Sequence, residues 1–213
     1  MPPTTHTDVL VSGAGVAGPT LAYWLRRHGF SPTVIERVPT LRRGLGGHAV
    51  DLRGPAVDVI EPMGVLPEVL SAATQTELIS LQRPGRPSVE VDLRRVMPAI
   101  SVRHVEIMRG ELVSILHEAT RNDVEYVFGD SIRTIDDDGD GVAVTFEHAS
   151  PRRFALVVGA DGLHSTVRRL VFGEESRFRR YLGGYLAVFT VPNYLGLAGR
   201  MLTYVAPGKL AAT

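Results

Sequence analysis

Residues 8–18 read Asp8-Val9-Leu10-Val11-Ser12-Gly13-Ala14-Gly15-Val16-Ala17-Gly18, and this stretch decides the fold of the 213-residue chain. An apolar run with the character of a buried strand ends in Gly-x-Gly-x-x-Gly, and helical spacing begins directly after it. Each glycine answers a physical need. Gly13 makes the tight strand-to-helix turn, Gly15 lets backbone approach a pyrophosphate, and Gly18 lets the helix pack close to the strand. Val16 and Ala17 lie at the helix mouth, where unpaired N–H groups and the helix dipole favour an anion. Glu36 lies 18 residues past Gly18 and ends a second apolar run, Thr33-Val34-Ile35. An acid at about that spacing accepts hydrogen bonds from a ribose hydroxyl and repels a 2′-phosphate, so the stretch implies FAD or an NAD-like nucleotide rather than NADP.

Outward from that stretch, Val16, Ala17, Leu21, Trp24 and Leu25 recur at helical spacing over 16–28. Pro19 stands near the first turn, Arg26, Arg27 and His28 sit where the dipole favours cations, and Gly29 is placed to cap the end. With the strand at 33–36 this completes a β-α-β unit. Lysine plus arginine and aspartate plus glutamate each number 23, so net charge is zero and nothing advertises a nucleic-acid or anionic-membrane partner. The absence of cysteine excludes disulfides, thiol nucleophiles, cysteine-ligated metals and the flavin disulfide reductases. Neither a signal-like start nor an apolar run of roughly 18 residues is present, so a soluble, cytoplasmic protein is the expectation.

Further along, Arg42-Arg43-Gly44-Leu45-Gly46-Gly47-His48 reads as a basic glycine-rich loop able to approach a ligand, with Arg42 and Arg43 as a solvated face. Short helices are expected at 54–64 and 65–73. Strands at 76–82 and 88–93 flank the turn-forming Arg83-Pro84-Gly85-Arg86-Pro87 as a hairpin. A helix is expected at 109–120, and strands at 124–128, 131–135, 142–146, 154–158, 185–191 and 200–205. Asp136-Asp137-Asp138-Gly139-Asp140-Gly141 with Glu147 satisfies the spacing of a calcium-binding EF-hand loop, but its flanks alternate as strands, so a hairpin turn is the reading. The seven histidines show no metal-ligand spacing, and no metal is expected.

A second constellation is Val157-Val158-Gly159-Ala160-Asp161-Gly162-Leu163-His164-Ser165-Thr166-Val167-Arg168, in which a buried strand delivers Asp161 and Gly162 to a loop and Ser165 is placed to start a helix. Taken with the N-terminal glycines, with Arg109-Gly110-Glu111-Leu112 opening a helix, and with Glu36-Arg37, the chain resembles the single-component FAD-dependent aromatic hydroxylases related to para-hydroxybenzoate hydroxylase.

The resemblance implies an α/β fold: a Rossmann-like FAD/NAD(P)-binding domain from 1–74 with 106–175, and a partial, mostly antiparallel β substrate-binding domain from 75–105 with 176–213. It implies FAD as cofactor, NADH or NADPH as transient reductant, and hydroxylation of a small organic or aromatic substrate. The cofactor would be held by Gly13, Gly15, Val16, Ala17 and Gly18 at the pyrophosphate, Glu36 and Arg37 at the ribose, Arg109 at the flavin phosphates or ribityl, and Asp161 and Gly162 from the second side. No general base emerges. The family's later Gly-Asp motif is missing, since Leu182-Gly183-Gly184-Tyr185 lacks the acid, and family members are roughly twice as long. The chain therefore reads as an N-terminal portion. Its unfinished sheet at 185–191 and 200–205 would favour self-association or a complementing C-terminal segment. Two rival readings stand beside this one: a non-catalytic flavin-binding fragment and an NAD-dependent Rossmann dehydrogenase.

Overall fold

The computed structural model describes residues 8–41 and 48–213. Arg42, Arg43 and the glycines of the expected ligand loop lie outside the described residues. The elements run β1 (Asp8–Ser12), α1 (Ala17–Arg27), β2 (Ser31–Glu36), β3 (Ala49–Arg53), α2 (Gly54–Ile60), α3 (Leu66–Ser71), β4 (Leu78–Arg83) and β5 (Arg86–Asp92). They continue α4 (Leu93–Ile100), β6 (His104–Met108), α5 (Arg109–Glu118), β7 (Glu125–Phe128), β8 (Ile132–Asp137) and β9 (Val142–Phe146). The last are β10 (Arg152–Phe154), β11 (Leu156–Gly159), α6 (Thr166–Phe172), β12 (Arg200–Ala206) and β13 (Lys209–Ala212). The chain groups into two compact units, residues 1–45 with 110–187 and residues 46–109 with 188–213.

The first unit is built on a parallel sheet of order β11-β1-β2-β7. Its central strands are covered on both faces, which is why they read as continuous apolar runs. Val9, Val11 and Val34 join Ala22 of α1 in one core. Leu10 and Ile35 point the other way and join Ile132, Val144, Phe146 and Phe154 of the antiparallel sheet β10-β9-β8, together with Val167 of α6. Leu10 is fully buried, and truncating it to alanine would cost about 3 kcal/mol.

The turn chemistry of α1 follows the sequence closely. Gly29 has φ +83°, its N–H donates to Arg26 O, and Phe30 N–H donates to Leu25 O, the paired bonds that close a helix through a left-handed glycine. Gly18 carries no side chain for a steric reason: a Cβ there would stand 1.8 Å from Gly13 O. The acidic stretch forms the β8–β9 hairpin turn, where Asp138 pairs with Arg153 at 2.6 Å.

Two expectations fail here. The strand expected over 154–158 is broken at Ala155: Phe154 pairs antiparallel with Val142, whereas Leu156 pairs parallel with Val9. The stretch 185–191 forms no strand, because no described strand pairs with it, and Tyr185 and Leu186 are 95% and 85% exposed.

The second unit holds the sheet β13-β12-β4-β5, in which only β12 and β4 run parallel, and the antiparallel pair β3-β6. The predicted β4–β5 hairpin is present. Contrary to the expectation of an unfinished sheet, β12 is paired on both sides. Leu52, Val57, Ile60, Val69, Val105 and Ile107 are buried in this unit. No described helix is long and apolar enough to cross a membrane.

Candidate functional site: the cleft at the carboxyl edge of the parallel sheet

In an open α/β sheet ligands bind outside the carboxyl ends of the strands. The first unit has an open-mouthed cleft there, of about 410 Å³ including solvent. Its lining comes from the ends of all four parallel strands: Ser12 and Gly13 from β1, Ile35, Glu36 and Arg37 from β2, Asp130 and Ser131 after β7, and Asp161, His164 and Thr166 after β11.

Among the described residues, no acidic side chain caps the N-terminus of α1. Its N-cap is Val16, no side chain caps it, and its first turn contains no acid. An 11-residue helix left in this condition presents unsatisfied N–H groups and the positive end of its dipole. Gly13 brings the turn close: it has φ +109°, and a Cβ would lie 2.6 Å from Ala160 O. Pyrophosphate chemistry fits these donors, and the residues that would meet it are Gly15, Val16 and Ala17.

Glu36 closes the cleft from β2. Its Oε2 accepts from Ala14 N at 2.8 Å and its Oε1 from Val38 N at 3.1 Å, so the carboxylate is pinned beside the glycine turn. Two such bonds leave lone pairs free for a ribose hydroxyl. Arg37 is exposed at the rim, and among the described residues its guanidinium makes no ion pair.

Asp161 behaves differently from Glu36. Its Oδ2 accepts from Thr166 N at 2.7 Å, Val167 N at 3.1 Å and Ser12 Oγ at 3.4 Å, and its Oδ1 accepts from Ser165 Oγ. Ser165 in turn accepts from Arg168 N at 3.0 Å as the N-cap of α6, as its position in the sequence predicts. The carboxylate therefore fixes the β11–α6 turn to β1. Gly162 follows it with φ +79°, a conformation that glycine adopts without steric cost.

Sequence reasoning missed Asp130. It is 4% exposed and receives N–H groups from Ser131 at 2.7 Å, Ala149 at 2.8 Å, and Glu147 and His148 at 3.1 Å. Burial alone would raise its pKa, yet the donors from Ala149, Ser131 and His148, with the His148 charge, hold it below the ordinary carboxylate value. His164 was also missed; its Nδ1 lies 3.0 Å from Glu175, whose pKa is lowered by that contact. Both follow strands of the parallel sheet, and that position is the signal that would have found them.

Of the sequence-predicted residues, Gly13, Glu36, Arg37 and Asp161 line the cleft together. Gly15, Val16, Ala17 and Gly18 form the adjoining turn and helix start, and Gly162 follows Asp161. Arg109 groups with the second unit, where it is exposed at the start of α5, and its N–H donates to His48 O at 3.3 Å.

Residues 6–188 match the family described as FAD binding domain. The chain belongs to that FAD-binding domain family. The match rules against the dehydrogenase alternative and makes FAD the cofactor of the family. An uncharacterized protein of Mycobacterium tuberculosis is 50% identical over 89% of this chain and 51% of its own length. A flavin-dependent monooxygenase of Legionella longbeachae is 38% identical over 97% of this chain and 52% of its own. Among solved structures, tetracycline destructase Tet(55) superposes with a TM-score of 0.83 at 36% identity, covering 100% of this chain and 53% of that one. This FAD-binding domain thus spans about half the length of the relatives it matches.

Proposed function

We propose that this chain is the FAD-holding portion of an NAD(P)H-dependent flavin monooxygenase that hydroxylates a small organic or aromatic substrate. The observation that carries the reading is the uncapped N-terminus of α1 adjoining the cleft that Glu36 lines, in a chain of this family. The likeness to a monooxygenase of Legionella and to a tetracycline destructase supports the reaction class. Cofactor-holding residues are drawn from 1–74 with 106–175, and substrate-facing residues from 75–105 with 176–213.

Each residue's part follows from its chemistry. Amide hydrogens of Gly15, Val16 and Ala17 hold the diphosphate, with Gly13 and Gly18 keeping the turn tight enough for its approach. Glu36 accepts from the adenosine ribose, and Arg37 offsets phosphate charge at the rim. Arg109 takes the flavin phosphates or ribityl, and Asp161 with Gly162 keeps the second loop in place. Bound flavin supplies the redox chemistry; the protein contributes orientation and exclusion of water.

The test is to add FAD to residues 1–213, remove free flavin, and compare retained absorbance with that of Gly15→Val. Retention by the natural sequence and its loss in the variant are expected; equal retention would remove the glycine turn from the site. NADH-driven oxygen consumption by the FAD-loaded chain then separates a competent portion from a binding-only one.

A further inference from the structure

The cofactor cleft holds a buried carboxylate that touches no predicted ligand group directly, yet is wired to one. The carboxylate of Asp130 gathers four main-chain N–H groups, three of them from the turn at residues 147–149. Its own N–H donates to Glu36 O at 3.2 Å, and Gly129 N–H donates to Val38 O at 3.0 Å. The exit of β7 is thereby laced to the exit of β2 on both sides of Arg37. Beyond Glu36 the path continues through its side chain to Ala14 N in the glycine turn.

We propose that Asp130 is a positioning residue: anchored by the 147–149 turn, it holds the main chain of Glu36 so that the Glu36 carboxylate meets both the glycine turn and the adenosine ribose. The assignment rests on the FAD-binding reading above. A carboxylate suits this task because it is an acceptor only. Four donors converge on it, and an asparagine would turn one oxygen into an NH₂ facing the Ala149 N–H. Losing a hydrogen bond to a charged group in a buried setting corresponds to about a tenfold change in an equilibrium constant.

The experiment is a double-mutant cycle read by FAD titration. The natural sequence, Asp130→Asn, Glu36→Gln and the double variant are titrated with FAD by flavin fluorescence. ADP and 2′-deoxy-ADP then compete with it. Asp130→Asn is expected to weaken FAD binding about tenfold, and the double variant to bind no more weakly than Glu36→Gln alone. The preference of the natural sequence for ADP over 2′-deoxy-ADP should disappear in Asp130→Asn. Losses that multiply in the double variant, or a preserved ribose preference, would show Asp130 to be merely structural. If Asp130→Asn fails to fold, Ala149→Pro removes one donor from the same carboxylate in an exposed turn and is judged by the same two readouts. Failure of the natural sequence to bind FAD at all would overturn the functional reading itself, and this assignment with it.

Discussion

Two helices, α1 and α6, leave the same parallel sheet through glycine-containing turns, and their first turns are opposites. The start of α6 is filled twice over, by Ser165 on Arg168 N and by Asp161 on Thr166 N and Val167 N. Among the described residues no side chain fills the start of α1: Val16 caps it without a side-chain bond, and no acid stands in its first turn. A filled terminus stabilises the fold by satisfying orphan donors internally, by about 1 kcal/mol per cap. A bare one keeps those donors for a ligand. Capping groups, present at α6 and withheld at α1, rather than glycine content, set the two turns apart.

That contrast can be attacked in order of expected effect. Gly18→Val drives a side chain into Gly13 O and should cost about 3 kcal/mol or more, seen as a lower urea midpoint, together with loss of FAD binding. Asp161→Ala removes one of the two side-chain acceptors at the start of α6, leaving Ser165 on Arg168 N, and should cost about 1–2 kcal/mol in the same assay. If it left stability unchanged while abolishing FAD binding, Asp161 would belong with the ligand residues instead.

Ala17→Asp places an anion at the bare end of α1. It should stabilise the ligand-free chain by about 0.5 kcal/mol while weakening FAD binding about tenfold, and a variant that improved both would break the comparison. Asp138→Asn, in the β8–β9 turn, is the reference outside both helices. The Arg153 guanidinium and the Asp140 N–H lower the pKa of exposed Asp138 from 3.8 to about 2. A lowered folded-state pKa contributes stability above the unfolded value that is lost as pH falls through the folded one. The small stability difference between Asp138 and its asparagine variant should therefore shrink between pH 3.8 and about 2 and stay constant above that window.

Local signals made much of this legible. Gly13, Gly18 and Gly29 each answer to a turn or a close approach within a few residues, so β1-α1-β2 could be read directly. The same holds for the Ser165 cap and for the hairpin around Gly139. What stayed hidden depends on partners distant in sequence. The break at Ala155 is set by Phe154 choosing Val142 and Leu156 choosing Val9. Residues 185–191 have the β-branched and aromatic composition of a strand but, among the described residues, no mate. Helix α4, with Pro98 inside it, and strand β6 went unread because their pattern is short and mixed. Asp130 resembles an ordinary turn aspartate until the amides of 147–149 are folded against it.

Ala155 is the single residue between the antiparallel meander and the parallel sheet, and its N–H donates to Asp8 O at 2.9 Å. There is no slack at that junction. The meander cannot peel away without pulling on β11, the strand that leads into the Asp161 turn, so the two layers should exchange amide protons and resist proteolysis as one cooperative unit. A lengthened tether at 155 would convert that unit into two that open independently.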